Sequence, residues 1–329
     1  MSILTEITRT IKDSSRVFLA THVNPDGDAI GSLLALNCLF LGLRKDVTAF
    51  IADPIPANFR FLPTSDLVIN GVPDRKGRSF DLAIVVDSTD WERTGTDIPS
   101  IVRPEKVINI DHHVSNNSFG DINYIDPKAS AVGEMLYDVI DTLGTGVDSR
   151  IASCLYTAIM TDTGSFTYSN TTARAFEISE KLVRCGAQPA KIAEEINENY
   201  SVSRLDLLRL ALSSLEFAGN RRIGSMTITQ EMFRETGTGP DMIEGFIDYP
   251  RFVAGVKVAV LFRELAGGGY KVSFRSRDTL DVSRIAGHFG GGGHVNASGC
   301  TIPGELARIK GDVISVAQRV LEETTGGGT

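Results

Sequence analysis

Three short apolar runs in this chain give out into acids and histidines: Thr21-His22-Val23-Asn24-Pro25-Asp26-Gly27-Asp28, then Asp87-Ser88-Thr89-Asp90, then Asp111-His112-His113. A fourth segment, Thr161-Asp162-Thr163-Gly164, closes a helical pattern. Carboxylates and imidazoles ligate divalent cations, and four aspartates drawn together without one would repel. Two like charges about 4 Å apart cost roughly 4 kcal/mol at an effective dielectric of about 20. Bound metal removes that conflict. An oxygen-rich set with one or two imidazoles suits manganese or magnesium better than structural zinc, which favours cysteine and a closed four-ligand shell. Two such ions about 3.5 to 4 Å apart can deprotonate a bridging water and clamp the oxygens of a phosphate undergoing in-line displacement. The chemistry open to these residues together is hydrolysis of a phosphate ester.

A parallel sheet would bring the segments to one place. Val17–Ala20, Val47–Phe50, Leu82–Val86 and Val107–Ile110 are short, mostly β-branched or aromatic runs, spaced by lengths that suit crossovers. Helices are expected over Ala29–Leu43, Ser130–Leu143, Ser149–Met160 and Thr172–Arg184. In open α/β sheets ligands bind beyond the carboxyl ends of the strands, so the three strand-end motifs should share one crevice. The pattern changes at Gly186–Val202, which is polar and charged. Beyond it, Ile223–Thr229, Val253–Leu265 and Tyr270–Arg275 read as strands, the last two joined as a hairpin through Gly267-Gly268-Gly269. Helices are expected at Val282–His288 and Glu305–Glu323, and the terminal Thr-Thr-Gly-Gly-Gly-Thr should fray. The fold class is therefore α/β. A mostly parallel-sheet domain over residues 1–188 is followed by a helical linker over 189–205 and a smaller mixed-sheet α/β domain over 206–325.

The length of 329 residues, with 42% hydrophobic and 22% charged residues, describes a two-domain globular protein. A formal charge of -8 argues against a broad surface that grips long nucleic acid, since such binding is driven by counterion release onto Lys and Arg. Cys38, Cys154, Cys185 and Cys300 form no CxxC pair, so they read as reduced thiols of a cytoplasmic protein. Ala29–Leu43, the strongest apolar run, is too short to span a bilayer, and no membrane anchor or signal peptide is expected.

Asp111-His112-His113, with His22-Val23-Asn24-Pro25-Asp26-Gly27-Asp28 ahead of it, resembles the DHH phosphoesterase superfamily. Gly290-Gly291-Gly292-Gly293-His294-Val295-Asn296-Ala297-Ser298-Gly299 resembles the signature of that superfamily's associated C-terminal domain, with Ser298 where alanine is usual. A two-domain chain of this kind is most similar to the NrnA-type branch, bifunctional oligoribonucleases and 3'-phosphoadenosine 5'-phosphate (pAp) phosphatases. The resemblance implies two manganese ions, with Mg2+ or Co2+ as substitutes. His22 and Asp26 would hold one, Asp28, His112 and Asp162 the other, and Asp87 would bridge them, with a hydroxide between the ions as nucleophile. It places His113 at the scissile phosphate and makes Asp111 the group that orients a histidine. In the second domain it assigns the far end of the substrate to Gly291, Gly292, Gly293, His294, Arg275 and Arg277. It implies short RNA of two to five nucleotides or pAp as substrate, no membrane partner, and a homodimer.

Bland readings stand beside several of these. The glycine run alone would be a flexible loop, and Arg284 a solvated helix residue. Ser130 and Glu134 are explained equally by helix capping and by a functional role. Trp91 reads as a packing residue, with base stacking as the alternative. Competing functions are a pyrophosphatase or exopolyphosphatase, against which the GGGGH run speaks, and a RecJ-like exonuclease, which should be more basic. A stand-alone enzyme hydrolysing cyclic di-AMP or its linear product pApA, and a catalytically silent nucleotide-sensing module, complete the set.

Overall fold

A computed structural model describes residues 2–71, 79–95, 98, 102–198, 200–277, 280–293 and 295–326. The chain divides into two compact units, Met1–Asn199 and Tyr200–Thr329. The first unit runs α1 (Ile3–Asp13), β1 (Arg16–Ala20), α2 (Gly27–Gly42), β2 (Asp46–Ile51), β3 (Ile69–Asn70), β4 (Phe80–Val86), β5 (Pro104–Asp111) and β6 (Ile122–Ile125). Helices α3 (Val132–Leu143), α4 (Ser149–Asp162), α5 (Ala173–Arg184) and α6 (Pro189–Ala193) follow, then a π-helical turn, Glu194–Glu198.

Its six strands lie in the order β3-β2-β1-β4-β5-β6, every neighbouring pair parallel. The strands read as continuous apolar runs because both faces are covered. Leu19, Ile84 and Ile110 enter one core with the helices, while Phe18, Phe50 and Ala83 enter another on the opposite face. The chain leaves β1 toward β2 and β3, then returns to add β4 on the other side of β1. The carboxyl ends of β1 and β4 therefore flank the point where strand order reverses, where a crevice opens in sheets of this kind.

Two glycines set the helix layer over that crevice. A Cβ on Gly27 would lie 2.4 Å from the Thr161 side chain, and one on Gly31 would lie 2.5 Å from the Cys154 carbonyl. Only glycine lets α2 and α4 approach so closely. The first turn of α2, which carries Asp28, thus lies beside the last turn of α4, which ends on Asp162.

The second unit runs α7 (Val202–Ser213), β7 (Glu216–Ala218), β8 (Ile223–Ile228), α8 (Gln230–Thr236), α9 (Asp248–Phe252), β9 (Val258–Glu264), β10 (Tyr270–Ser276), α10 (Ser283–His288), β11 (Gly292–Gly293), β12 (Ala297–Ile302) and α11 (Leu306–Gly326). Its sheet has the order β11-β12-β10-β9-β8-β7, antiparallel except for the parallel pair β8 and β9. Both units match the α/β class expected, one sheet parallel and one mixed.

Several expected bounds move. The hairpin at Gly267-Gly268-Gly269 forms, with Gly268 and Gly269 at φ 89° and 76°. The strand expected from Val253 begins instead at Val258, because Pro250 sits in the short helix α9 and Gly255, at φ 85°, turns the chain before β9. Helix α11 continues through Thr324, whose hydroxyl donates to the Val320 carbonyl at 2.8 Å, so the expected fraying does not begin there. Residues 327–329 lie outside the described residues. The polar stretch after Gly186 is helical, and Ile192 and Ile196 are buried in the first unit's core.

Candidate metal centre

His22 and Asp26 follow β1, Asp87 follows β4, and Asp111, His112 and His113 end or follow β5, all at carboxyl ends. Asp28 and Asp162 come from α2 and α4. The structure brings these residues to one place. One ligand atom from each of His22, Asp26 and Asp87 lies within 4.8 Å of the other two, and the same holds for Asp28, His112 and Asp162, and for Asp87, His112 and His113.

Asp87 is the centre of the cluster. It is 2% exposed and has φ 54°, a left-handed backbone that a residue other than glycine adopts only under constraint from its surroundings. Its Oδ2 is 3.5 Å from His22 Nε2, and its Oδ1 is 3.7 Å from His112 Nε2 and 3.5 Å from His113 Nδ1. Oδ1 is buried without a hydrogen-bond partner. A buried carboxylate oxygen so placed is costly unless a cation meets it.

The histidines repeat the point. His22 Nδ1 is 2.8 Å from the Val23 carbonyl and His112 Nδ1 is 3.1 Å from the Ala129 carbonyl. A carbonyl only accepts, so each Nδ1 donates, and a neutral ring then presents its Nε2 lone pair to the carboxylates. His112 Nε2 faces Asp28, Asp162 and Asp87 at 3.9, 3.6 and 3.7 Å. Lone pair against carboxylate is repulsive, and either a proton or a metal must sit between them. The same surroundings raise the affinity of both rings for a proton. Burial opposes the charge on His22, but its hydrogen bond to Asp87 and the charges of Asp87 and Asp26 push it up to about 9. Burial likewise opposes His112, while Asp28, Asp162 and Asp87 push it up to about 9. Asp162 is pushed up to about 7, chiefly by burial, and Asp28 well above the usual range by burial and by Asp87. Burial raises Asp87 too, but the three imidazoles outweigh it and hold it below the usual range. Imidazoles held through Nδ1, with carboxylates crowded on their Nε2 side, are a donor set that fits divalent metal.

Not every carboxylate is equally available. Asp26 caps α2, its Oδ1 accepting from the amides of Asp28 and Ala29, both at 3.1 Å. Asp28 is almost enclosed: Oδ2 accepts from the Val132 amide at 2.7 Å, and Oδ1 from the Gly133 amide and the Ser32 hydroxyl, both at 3.0 Å. It sits on the N-terminus of α3, where the helix dipole favours a negative charge. Asp111 is fully buried and fully engaged. Its Oδ1 accepts from the His112 amide at 2.8 Å and from His113 Nδ1 at 2.6 Å, and its Oδ2 accepts from Asn116 Nδ2 at 2.6 Å. Asp111 therefore orients His113 and does not itself face the cluster's centre.

Asn116 and Asn109 were not singled out in the sequence. Asn116 Nδ2 also reaches Asn109 Oδ1 at 2.8 Å, and Asn109 Nδ2 donates to the Val85 and Ser88 carbonyls, so this network ties the ends of β4 and β5 together. The only sequence signal was an asparagine inside a β-branched strand, a residue that such positions disfavour. Asn170 likewise donates to the carbonyls of Ser130 and Asp162, both at 3.1 Å. Ser130 and Glu134 form a capping pair, the Glu134 carboxylate accepting from the Ser130 amide and hydroxyl. Trp91 packs edge-on to Phe119 at 5.8 Å.

In the second unit Arg275 Nη1 donates to the Phe274 carbonyl at 3.1 Å, and Arg277 Nη2 donates to the Arg251 carbonyl at 2.6 Å. The glycines divide by role. A Cβ on Gly291 would lie 2.2 Å from the Gly299 carbonyl, and one on Gly293 2.6 Å from the Ala297 carbonyl, so both are needed for close approach to β12. Gly292 is exposed with open space around it. His294 lies outside the described residues. Arg284 forms a surface ion pair with Glu323.

The model of the DHH family N-terminal domain matches residues 16–159, and that of the DHHA1 domain matches residues 225–324. The chain is 33% identical over 323 residues to the bifunctional oligoribonuclease and PAP phosphatase NrnA of Thermus thermophilus, covering 98% of this chain and 92% of that protein. It is 27% identical to the Bacillus subtilis protein of the same name, covering 91% of this chain and 93% of the relative. The crystal structure of an exopolyphosphatase-related protein from Bacteroides fragilis superposes with a TM-score of 0.89 at 27% identity, over 98% of this chain and 96% of that one.

Proposed function

The chain belongs to the DHH phosphoesterases of NrnA type with a DHHA1 domain, and from that premise we propose that it is a manganese-dependent hydrolase of short oligoribonucleotides and of pAp. One observation carries the metal part of the reading: Asp87, whose buried Oδ1 has no hydrogen-bond partner, lies among three imidazoles and three further carboxylates. His22 and Asp26 would hold one ion, Asp28, His112 and Asp162 the other, with Asp87 shared. Mg2+ or Co2+ would substitute. Metal bound there supplies an activated water at neutral pH and neutralises the phosphate.

The chain's own residues do the rest. Asp111, steadied by Asn116, accepts a hydrogen bond from His113 and so fixes which ring nitrogen faces the substrate. His113 then stabilises charge on the phosphate or protonates the leaving oxygen. Arg275 and Arg277, with the glycine loop and His294, would bind the distal phosphate, since guanidinium groups pair with phosphate in bidentate fashion. No helix among the described residues is long and apolar enough to cross a membrane. A cytoplasmic homodimer belongs to the same reading.

The test compares initial rates on RNAs from two to about twenty nucleotides, on pAp and on cyclic di-AMP, each with manganese. Faster turnover of di- to pentanucleotides and pAp is expected, with mononucleotide 5'-phosphates released. A dominant rate on cyclic di-AMP or pApA would assign the enzyme to cyclic-dinucleotide turnover instead, and no turnover of any of them would leave a sensing role.

A further inference from the structure

On one face of the second unit's sheet the register sets Lys271 directly opposite Arg263 on β9 and Thr301 on β12, and sets Arg275 opposite Ala259 and Ala297. Ser273 lies between them, opposite Leu261 and Gly299. The opposite face carries Val260, Phe262, Val272, Phe274 and Cys300 into the core. On the β9 side the first face is closed, since Ala259 and Leu261 are buried with Leu207 of α7 and Phe233 of α8. On the β10–β12 side it is open: Lys271 and Thr301 are exposed, and Ser273, Arg275, Ala297 and Gly299 are half-exposed.

The open strip thus has a floor of small side chains and a cation at each end. Strand geometry puts positions 271 and 275 about 13 Å apart. Neither Arg263 nor Lys271 makes an ion pair or side-chain hydrogen bond among the described residues, and no carboxylate acts on either. Like charges directly opposite one another in an antiparallel pair destabilise it. An anion between them would reverse the sign of that interaction. In a chain of net charge -8, an exposed Lys271 set against a half-exposed Arg263 at the rim of the open strip, neither one neutralised, marks a place for a polyanion rather than a solvated surface.

We infer that the β10–β12 face is a short track for a single-stranded oligonucleotide, in which Lys271 and Arg263 hold a backbone phosphate two phosphodiester steps beyond the one at Arg275. This rests on the oligoribonuclease reading above and adds the residues that limit substrate length. The intervening bases lie over Ser273, Gly299 and Ala297, where no side chain obstructs them, and phosphate contacts supply the affinity without sequence preference. Lys271 and Arg263 thus extend the substrate contact by one cation pair beyond Arg275.

The experiment uses the full chain with Lys271→Gln and Arg263→Gln, singly and together, with melting temperatures checked against wild type. KM is measured with manganese on di-, tri-, tetra- and pentanucleotides and on bis(p-nitrophenyl) phosphate. Binding of a labelled pentanucleotide and dinucleotide is measured separately in EDTA by fluorescence anisotropy. The expected result is unchanged turnover of the dinucleotide and the small ester, with KM and Kd for the pentanucleotide raised about tenfold. The salt dependence of pentanucleotide binding should fall by about 0.7 in log–log slope, the loss of one phosphate contact on a single strand. Unchanged pentanucleotide binding, or equal weakening at both lengths, overturns the track. If wild type cleaves no RNA, the oligoribonuclease reading fails, and length-dependent loss of binding in EDTA then decides the track on its own.

Discussion

In the first unit the groups proposed to face the reaction are held before any substrate arrives. His22 and His112 are pinned through Nδ1 to backbone carbonyls, Asp28 accepts from two amides and a hydroxyl, and Asp111 is clamped by Asn116. In the second unit Lys271 and Arg263 stand on strands with no such hold. Both regions are expected to meet phosphate, one to break its ester and the other to grip it. Chemistry needs atoms fixed to within about half an ångström, and burial with hydrogen bonds supplies that fixity. Binding a flexible polyanion needs charge at roughly the right spacing, and exposed side chains suffice. Substitutions should therefore act steeply and on all substrates in the first region, and gradually and by substrate length in the second.

The sharpest way to break this contrast is Asp87→Ala. Loss of the shared carboxylate should lower kcat at least a hundredfold on every substrate, about 2.7 kcal/mol of transition-state stabilisation, with the fold retained. Steady-state kinetics at saturating manganese, with metal content by mass spectrometry, decides it, and retention of about a tenth of the wild-type rate would remove Asp87 from its bridging place.

Asp111→Asn comes next. It keeps the shape but weakens the hold on His113, so kcat should fall about ten- to a hundredfold with metal content unchanged. Parallel loss of metal would show that Asp111 acts on the ligands rather than on His113.

Arg275→Ala and His294→Ala probe the gripping side. Each should raise KM for a dinucleotide or pAp about tenfold or more, since a charged hydrogen bond is worth about 1.5 to 3 kcal/mol. Turnover of bis(p-nitrophenyl) phosphate should stay at the wild-type value. Equal loss on both substrates would erase the division of labour between the regions.

The smallest effect concerns protons in place of metal. With metal stripped by EDTA, His22 and His112 should titrate near 9 rather than at the ordinary 6.5. Raised folded-state values mean that their contribution is fully present below 6.5 and is lost as pH rises through about 9. Melting temperature of the stripped protein should drop by a few degrees across that window, while manganese-loaded protein should stay flat. A flat curve for the stripped protein would show that the cluster relaxes when emptied.

Much of this was legible in the residues. The apolar runs ending in His22, Asp87 and Asp111 announced a parallel sheet and an acid-rich crevice, because burial on both faces and strand-end chemistry are local patterns. Helix α4 was legible to within two residues, although it includes Asp162 rather than stopping before it. Strands β6 and β12 and helix α8 escaped notice, being short or polar enough that only their neighbours stabilise them. The Val253 boundary was misjudged because Val253, Val256 and Val258 share one propensity while Gly255 decides the turn.

The sequence by itself determined the inventory: which acids and imidazoles stand at strand ends, and therefore which chemistry is open to them. Tertiary structure alone decided how each is used. It is the reversal of strand order at β1 and β4, the close approach of α2 to α4 through Gly27 and Gly31, and the amides of α3 that separate an engaged Asp28 and Asp111 from Asp87, whose Oδ1 has no hydrogen-bond partner. The register of β9 against β10 likewise set Lys271 opposite Arg263. These are contacts between residues far apart in the chain, whose energies come from packing and register rather than from any local propensity, so no pattern of neighbours could announce them.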